Sequence, residues 1–137
     1  MLKGFVQFRL DSYAHGINNT FQWIDGSFVE DKLLREKSEP NDIDVVTFIN
    51  IPSTEQTALI RAFPEFANSI KSKHKYHVDH YIADISNPVS AVRNTQYRIQ
   101  LFSHNRRGVW KGMLEVPLYS DNTEDLRAME FLNTLSI

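Results

Sequence analysis

Asp42-Ile43-Asp44-Val45-Val46-Thr47-Phe48-Ile49-Asn50-Ile51 is the stretch that decides the fold. It is rich in Val, Ile, Thr and Phe, with polar residues only near its ends, and it reads as a β-strand. A nearly continuous apolar run predicts a strand covered on both faces, as in a mixed α/β sheet. Pro52 stops it, and Ser53 with Gln56 three residues later makes a capping-box helix start. Leu59, Ala62, Phe63, Phe66 and Ile70 then recur at helical spacing. Pro64 inside that pattern predicts a kink or a second helix. Tyr76 to Ile85 (YHVDHYIADI) reads as the next strand. If Ser53–Lys73 is a crossover between them, the two strands are parallel.

Working outward, the first 20 residues read as a short helix with Phe5, Phe8 and Leu10 partly apolar, ended near Gly16. Phe21 to Ile24 reads as a short strand running into a turn at Asp25-Gly26-Ser27, and Phe28 to Arg35 as helical. Lys37 to Asn41 is a loop by its polarity and its proline. Downstream, Pro88 to Phe102 reads as a helix with Val89, Val92, Ile99 and Phe102 as its apolar stripe. Arg106-Arg107-Gly108 is a turn and Val109 to Leu118 a strand. Asn122 or Thr123 caps a last helix over Glu124 to Leu132. Alternation of strands and helices makes the class α/β (α+β), a mixed sheet flanked by helices. No repeat, low-complexity tract or linker interrupts it, so residues 1–137 read as one domain.

Composition narrows the function classes. With 137 residues, 42% of them hydrophobic and 12% aromatic, the chain can bury a core and is too apolar for disorder. No apolar run approaches the roughly 18 residues of a membrane helix. The start, MLKGFVQFRL, lacks a long apolar segment and a small-residue cleavage site, so no secretory signal is expected. The absence of cysteine excludes disulfides, thiolate zinc sites and a cysteine nucleophile. The cytoplasm is the expected compartment, with no membrane partner. A net charge of −2 argues against broad nucleic-acid binding, but the charges are unevenly spread. Seven acids lie between Asp25 and Asp44, whereas Ile85 to Leu114 has none and carries Arg93, Arg98, Arg106, Arg107 and Lys111. An acidic metal-binding part facing a basic phosphate-binding part is one reading; an accident on a solvated surface is the other.

The chemistry concentrates in Trp23-Ile24-Asp25-Gly26-Ser27 and Asn41-Asp42-Ile43-Asp44. Side chains on a strand alternate, so Asp42 and Asp44 point the same way with Ile43 into the core behind them. Two carboxylates on one face of a buried strand are costly unless a positive charge sits between them. A hard divalent cation with oxygen ligands, Mg²⁺ or Mn²⁺, is the natural occupant. Gly26-Ser27 at a strand-to-helix turn supplies a closely approachable backbone, a hydroxyl and a helix N-terminus for phosphate. A second metal roughly 4 Å from the first wants a third carboxylate. Asp79 lies near the start of the parallel strand, whereas Asp84 is about 16 Å further along and faces the opposite side. Asp79 is therefore the choice. His74, His77 and His80 match no closed tetrahedral zinc site.

Gly26-Ser27, then Asp42-Ile43-Asp44, then Val78-Asp79, resembles the signature of the DNA polymerase β-like nucleotidyltransferases. The closer resemblance is to an uncharacterised bacterial and phage family within or near that superfamily. It is carried by WIDGSFVEDK, EPNDIDVVTF, KYHVDHYIAD and LFSHNRRGVWKGMLEVPL, from roughly Phe21 to Leu118. The resemblance implies a nucleotidyltransferase-like mixed sheet, two Mg²⁺ ions and transfer of a nucleoside monophosphate from a triphosphate. Asp42, Asp44 and Asp79 would be the catalytic metal ligands. Gly26 and Ser27 would cradle phosphates, and Arg106 and Lys111 are candidates to contact the triphosphate or an acceptor. The acceptor class, whether tRNA, a protein side chain or a small molecule, stays open. One departure is the spacing: fourteen residues separate Ser27 from Asp42, at or just beyond the long end for the superfamily.

Each element also has a plainer reading. Asp42 can cap a turn after Pro40-Asn41, Asp44 can be a strand-edge charge, Asp79 a salt-bridged surface residue and Ser27 an N-cap. Arg106 and Lys111 can be ordinary solvated cations. The competing function of a different class is a catalytically inactive nucleotidyltransferase fold. It would bind a nucleotide, a protein partner or a second copy of itself, as in a toxin–antitoxin or phage-defence pair.

Overall fold

A computed structural model describes residues 2–25, 42–102 and 113–135. Its first helix, α1 (Leu2–Ala14), leads to strand β1 (Thr20–Asp25), and β2 spans Ile43–Ile49. After β2 come α2 (Ser53–Ala62), a single 3₁₀ turn (Pro64–Ala67) and α3 (Ser69–Tyr76). Strand β3 (Val78–Asp84), helix α4 (Pro88–Phe102), strand β4 (Leu114–Leu118) and helix α5 (Thr123–Asn133) complete the order. The expected helix over Phe28–Arg35 lies outside the described residues, as do residues 109–112 of the expected last strand.

The four strands form one mixed sheet in the order β3-β2-β1-β4. β2 and β3 are parallel, and β1 is antiparallel to both β2 and β4. The class is therefore α/β with a mixed sheet, as the sequence predicts. Central position explains the apolar run of β2: Ile43, Val45, Val46, Thr47, Phe48 and Ile49 are all buried. Odd-numbered residues of β2 face the larger core, where Phe5, Phe8, Phe63, Phe66 and Tyr76 pack on Ile43, Val45 and Val78. Even-numbered residues face a smaller one, in which Val46, Phe48 and Ala83 meet the half-buried Phe21, Trp23, Tyr81 and Met113. Each large apolar side chain fully buried this way contributes about 1.5–3 kcal/mol.

Helix α1 sits close to the end of α3, because a Cβ at Gly4 would fall onto the Tyr76 carbonyl. Only glycine allows that approach. Tyr76 also donates its hydroxyl to Asp11 Oδ2 at 2.6 Å, tying the two helices together. Burial, then that hydrogen bond, raises the Tyr76 pKa well above the usual phenol range.

A buried polar chain runs across the larger face of the sheet. Arg9 donates Nε to Asp125 Oδ2 at 2.6 Å and Nη2 to Asp125 Oδ1 at 3.0 Å. Its Nη1 reaches Gln22 Oε1 at 2.8 Å, and Nη2 also reaches the Pro117 carbonyl at 2.6 Å. Gln22 Nε2 donates to Thr47 Oγ1, which is hydrogen-bonded in turn to His80 Nε2 at 2.7 Å. His80 Nδ1–H ends the chain on the Phe66 carbonyl at 2.7 Å. The Phe66 carbonyl can only accept, so His80 Nδ1 carries a proton. Its ring is 2% exposed and lies 4.6 Å from both Phe8 and Phe66. His80 is thus a core residue, while His74 and His77 are exposed.

Several local expectations need correcting. Ser53 does not cap α2: Pro52 occupies that position with no side-chain cap bond. Gln56 instead donates to the Ile51 carbonyl and to Asp84 Oδ2. Tyr76 ends helix α3 rather than opening β3. Pro64 does end the first helix, and Phe63 and Phe66 are buried, but Ile70 is 76% exposed. Capping by Asn68, which accepts from the Ile70 and Lys71 amides, turns α3 so that Ile70 faces outward. Val89 and Val92 are likewise exposed, so they form no buried stripe. Asn122 precedes α5 without a side-chain cap; Asp121 Oδ1 accepts the Thr123 amide instead.

Candidate functional site

The crossover from β2 to β3 explains how the acidic residues meet. Asn68 starts α3, and His77, at φ 59°, stops it in the left-handed conformation. Its amide closes on the Lys73 and Ser72 carbonyls, and the chain turns directly into β3. The His77 carbonyl accepts the Ile43 amide at 3.0 Å, which aligns the starts of the two parallel strands. Ile43 then lies opposite Val78, and Asp44 opposite Asp79. Adjacent strands are about 4.8 Å apart, so these two carboxyl-bearing residues are direct neighbours. On the other side of β2, backbone register sets Asp25 across from Asp44.

Ile43 is fully buried on the larger core, so Asp42 and Asp44, one position to either side, belong to the smaller face. Both are half-buried. Asp84 lies at the far end of β3, opposite Ile49, and on the other face. It accepts bonds from Gln56 Nε2, the Ser86 amide and the Ser86 hydroxyl. The Ser86 hydroxyl bond, then that from Gln56, lowers its pKa. The stabilisation that follows is present at neutral pH and is lost as pH falls through the lowered pKa. Asp84 is thus occupied structurally, and Asp79 is the carboxylate beside Asp44.

Asp79 has a neighbour that sequence reasoning missed. Lys73 Nζ, on the last turn of α3, lies 3.5 Å from Asp79 Oδ2, with the two side chains 44% and 16% exposed. Asp79 is the main cause that raises the Lys73 pKa, and Asp42 contributes at longer range. Tyr81, two residues on and therefore on the same face, has its hydroxyl pKa raised by burial first and then by a hydrogen bond to Asp79. The other carboxylate oxygen, Asp79 Oδ1, is buried with no hydrogen-bond partner among the described residues. An anionic oxygen withdrawn from water and lacking a donor is costly, and a cation is the partner it fits.

The fit to a metal is partial. Oxygen-only donors suit a hard divalent cation, and the orphaned Oδ1 is available to one. The side chains do not converge further: among the described residues no group of three or more His, Asp or Glu could hold a metal ion. An ammonium, not a third carboxylate, closes on Asp79. Gly26, Ser27, Arg106 and Lys111 lie outside the described residues. A pocket of about 380 Å³ opens at the opposite end of the sheet, lined by residues including Ile17, Asn19, Phe21, Ile49, Asn50 and Ile85. It is one strand length from Asp44 and is not part of the acidic cluster. Among the described residues no helix is long and apolar enough to cross a membrane.

Tyr81 was legible in principle, since strand alternation puts it on the Asp79 face. Lys73 was not, because its approach depends on the His77 turn. No curated protein and no solved structure matches this chain. One family model matches residues 1–117, from α1 through Pro117 of β4, and the chain therefore belongs to the Family of unknown function (DUF6932).

Proposed function

We propose that this chain is a metal-dependent nucleotidyltransferase of the polymerase β-like kind, moving a nucleoside monophosphate from a triphosphate to an acceptor. The observation that carries this reading is the register of two parallel strands. Asp44 and Asp79 are direct neighbours at one sheet end, and Asp42, just before β2, is near enough to act on Lys73 beside Asp79. Such an arrangement suits the acidic half of a phosphoryl-transfer site, where catalysis is largely positioning and charge neutralisation.

Asp42 and Asp44 would hold Mg²⁺ or Mn²⁺, and Asp79 would join them through Oδ1, which has no hydrogen-bond partner among the described residues. Bound there, the metal supplies charge neutralisation for the triphosphate and favours loss of the acceptor's proton. In the transfer, the acceptor oxygen bonds to the α-phosphorus, the bond to the β-phosphate breaks, and pyrophosphate leaves. Gly26 and Ser27 would cradle the β and γ phosphates, and Arg106 and Lys111 would contact triphosphate or acceptor. Those four roles rest on the sequence resemblance. The acceptor would be an RNA, a protein or a small molecule, in the cytoplasm.

One observation favours a second reading. Lys73 already satisfies part of the Asp79 charge. A protein that binds a nucleotide or a partner without catalysis, as in a toxin–antitoxin or phage-defence pair, could keep that ion pair permanently. Asp79→Asn and Asp84→Asn separate the two readings. In a transfer assay, Asp79→Asn reduces the rate by about a hundredfold or more, on the scale of losing several kcal/mol of charge stabilisation. Asp84→Asn leaves it within about threefold of wild type, because only structural hydrogen bonds at the far strand end are affected. The reverse ranking contradicts the proposed site.

A further inference from the structure

We infer that the pocket at the far end of the sheet is a binding site in its own right, built for an uncharged planar ligand of nucleobase chemistry. It stands apart from the acidic cluster and depends on no transfer reaction. Strands β2 and β3 run parallel and both end here, with Ile49 opposite Asp84. Asn50, Ile51 and Ile85, which follow the two strands, line the pocket. Open α/β sheets hold small ligands outside the carboxyl ends of such strands. Its volume of about 380 Å³ lies within the range of small-molecule sites. Asp44 is roughly 17 Å away from Ile49 at 3.3 Å per strand residue, so the two ends are separate places.

The turn from α1 to β1 forms the other wall, and its backbone is held in place. Gly16 and Asn19 take left-handed conformations, at φ 83° and 52°. The Ile17 amide donates to the Ser12 carbonyl and the Asn19 amide to the Tyr119 carbonyl, each at 3.0 Å. Every residue lining the pocket is uncharged. Asp84, next to Ile85, is already engaged by Gln56 and Ser86. Buried Ile17 and Ile49, with half-buried Phe21 and Ile85, supply apolar surface. Exposed Asn18, Asn19 and Asn50 supply three carboxamides. Asn19 Nδ2 donates to Asn18 Oδ1 at 3.3 Å, and their other amide atoms have no protein partner among the described residues. An ion would lose hydration here without meeting a counter-charge. An aliphatic ligand would leave the carboxamides unpaired, and a sugar would cover the isoleucines poorly. A flat ring edged with donor–acceptor pairs satisfies both parts, as when a carboxamide pairs with the N6 and N7 edge of adenine.

The test is titration of the full chain, labelled with ¹⁵N, with adenosine, glucose or inorganic triphosphate, read by amide chemical shifts. Adenosine is expected to bind saturably, more tightly than about 1 mM, and to move the signals of residues 16–21 and 49–51. Glucose and triphosphate leave those signals in place. Asn18→Ala/Asn50→Ala removes two exposed side chains without touching the core, and weakens adenosine about tenfold or more. Asp42→Asn/Asp44→Asn leaves adenosine binding unchanged, because those residues stand at the other sheet end. Absence of saturable adenosine binding, glucose binding as tight as adenosine, or unchanged affinity in the double alanine variant overturns the inference. Adenosine shifts centred on residues 42–44 and lost in the Asp42→Asn/Asp44→Asn protein also overturn it, by placing the ligand in the acidic cluster.

Discussion

The Asp42→Asn/Asp44→Asn protein folds normally and no longer shows metal-dependent binding of a nucleoside triphosphate. Asparagine copies the shape of aspartate, so the half-buried start of β2 keeps its packing around Ile43. Two negative charges disappear from a strand that faces Asp79 across one ladder spacing. Like charges on neighbouring strands repel, so their removal relieves that repulsion. A metal, however, has lost the donors that would hold it. Charge stabilisation by a bound divalent ion is worth several kcal/mol, so metal-assisted binding and transfer fall by about a thousandfold. Titration calorimetry with a triphosphate, in Mg²⁺ and in chelator, reads this directly. Equal binding by wild type and variant, or by wild type in Mg²⁺ and in chelator, contradicts the metal assignment.

The largest effect on stability is expected at Asp125. Arg9 is 4% exposed and Asp125 5%, and the carboxylate holds both the Nε and an Nη of the guanidinium. Asp125→Ala leaves a buried guanidinium with only Gln22 Oε1 and the Pro117 carbonyl as acceptors among the described residues. An uncompensated buried charge of this kind costs about 3–5 kcal/mol. That is a large part of a typical domain's total stability. Urea unfolding should show a markedly lower midpoint with an unchanged slope. The double variant Arg9→Met/Asp125→Leu, which buries no charge, should recover much of the loss. A cost below about 1 kcal/mol for Asp125→Ala would mean that solvent reaches the pair.

Sequence reading reached the parts of this fold that depend on local periodicity. The β2 run, the break at Pro64 and the helix over Pro88–Phe102 all follow from spacing and residue type. That Asp79, not Asp84, lies beside Asp44 was also legible, because a crossover makes neighbouring strands parallel and parallel strands share their starts. Polar residues were the blind spot. Arg9, Gln22 and His80 look like surface residues, yet they join Thr47 in one buried chain whose members lie far apart in sequence. No local pattern announces such a partnership; only the sheet order brings them together. Ile70, Val89 and Val92 fail in the opposite sense. They sit in helical patterns, but the rotation of their helices leaves them outside. Lys73 became visible only once the left-handed turn at His77 was known.

The central claim is nucleotidyl transfer, and labelled triphosphate tests it most directly. The protein is incubated with Mg²⁺, a fractionated cell lysate as the source of acceptor, and each nucleoside triphosphate labelled at the α or at the γ phosphate. The account predicts that α label becomes attached to an acceptor with release of pyrophosphate, that γ label does not, and that Asp42→Asn/Asp44→Asn removes the signal. Transfer of γ label, or triphosphate binding with no transfer of α label to any fraction, would contradict it.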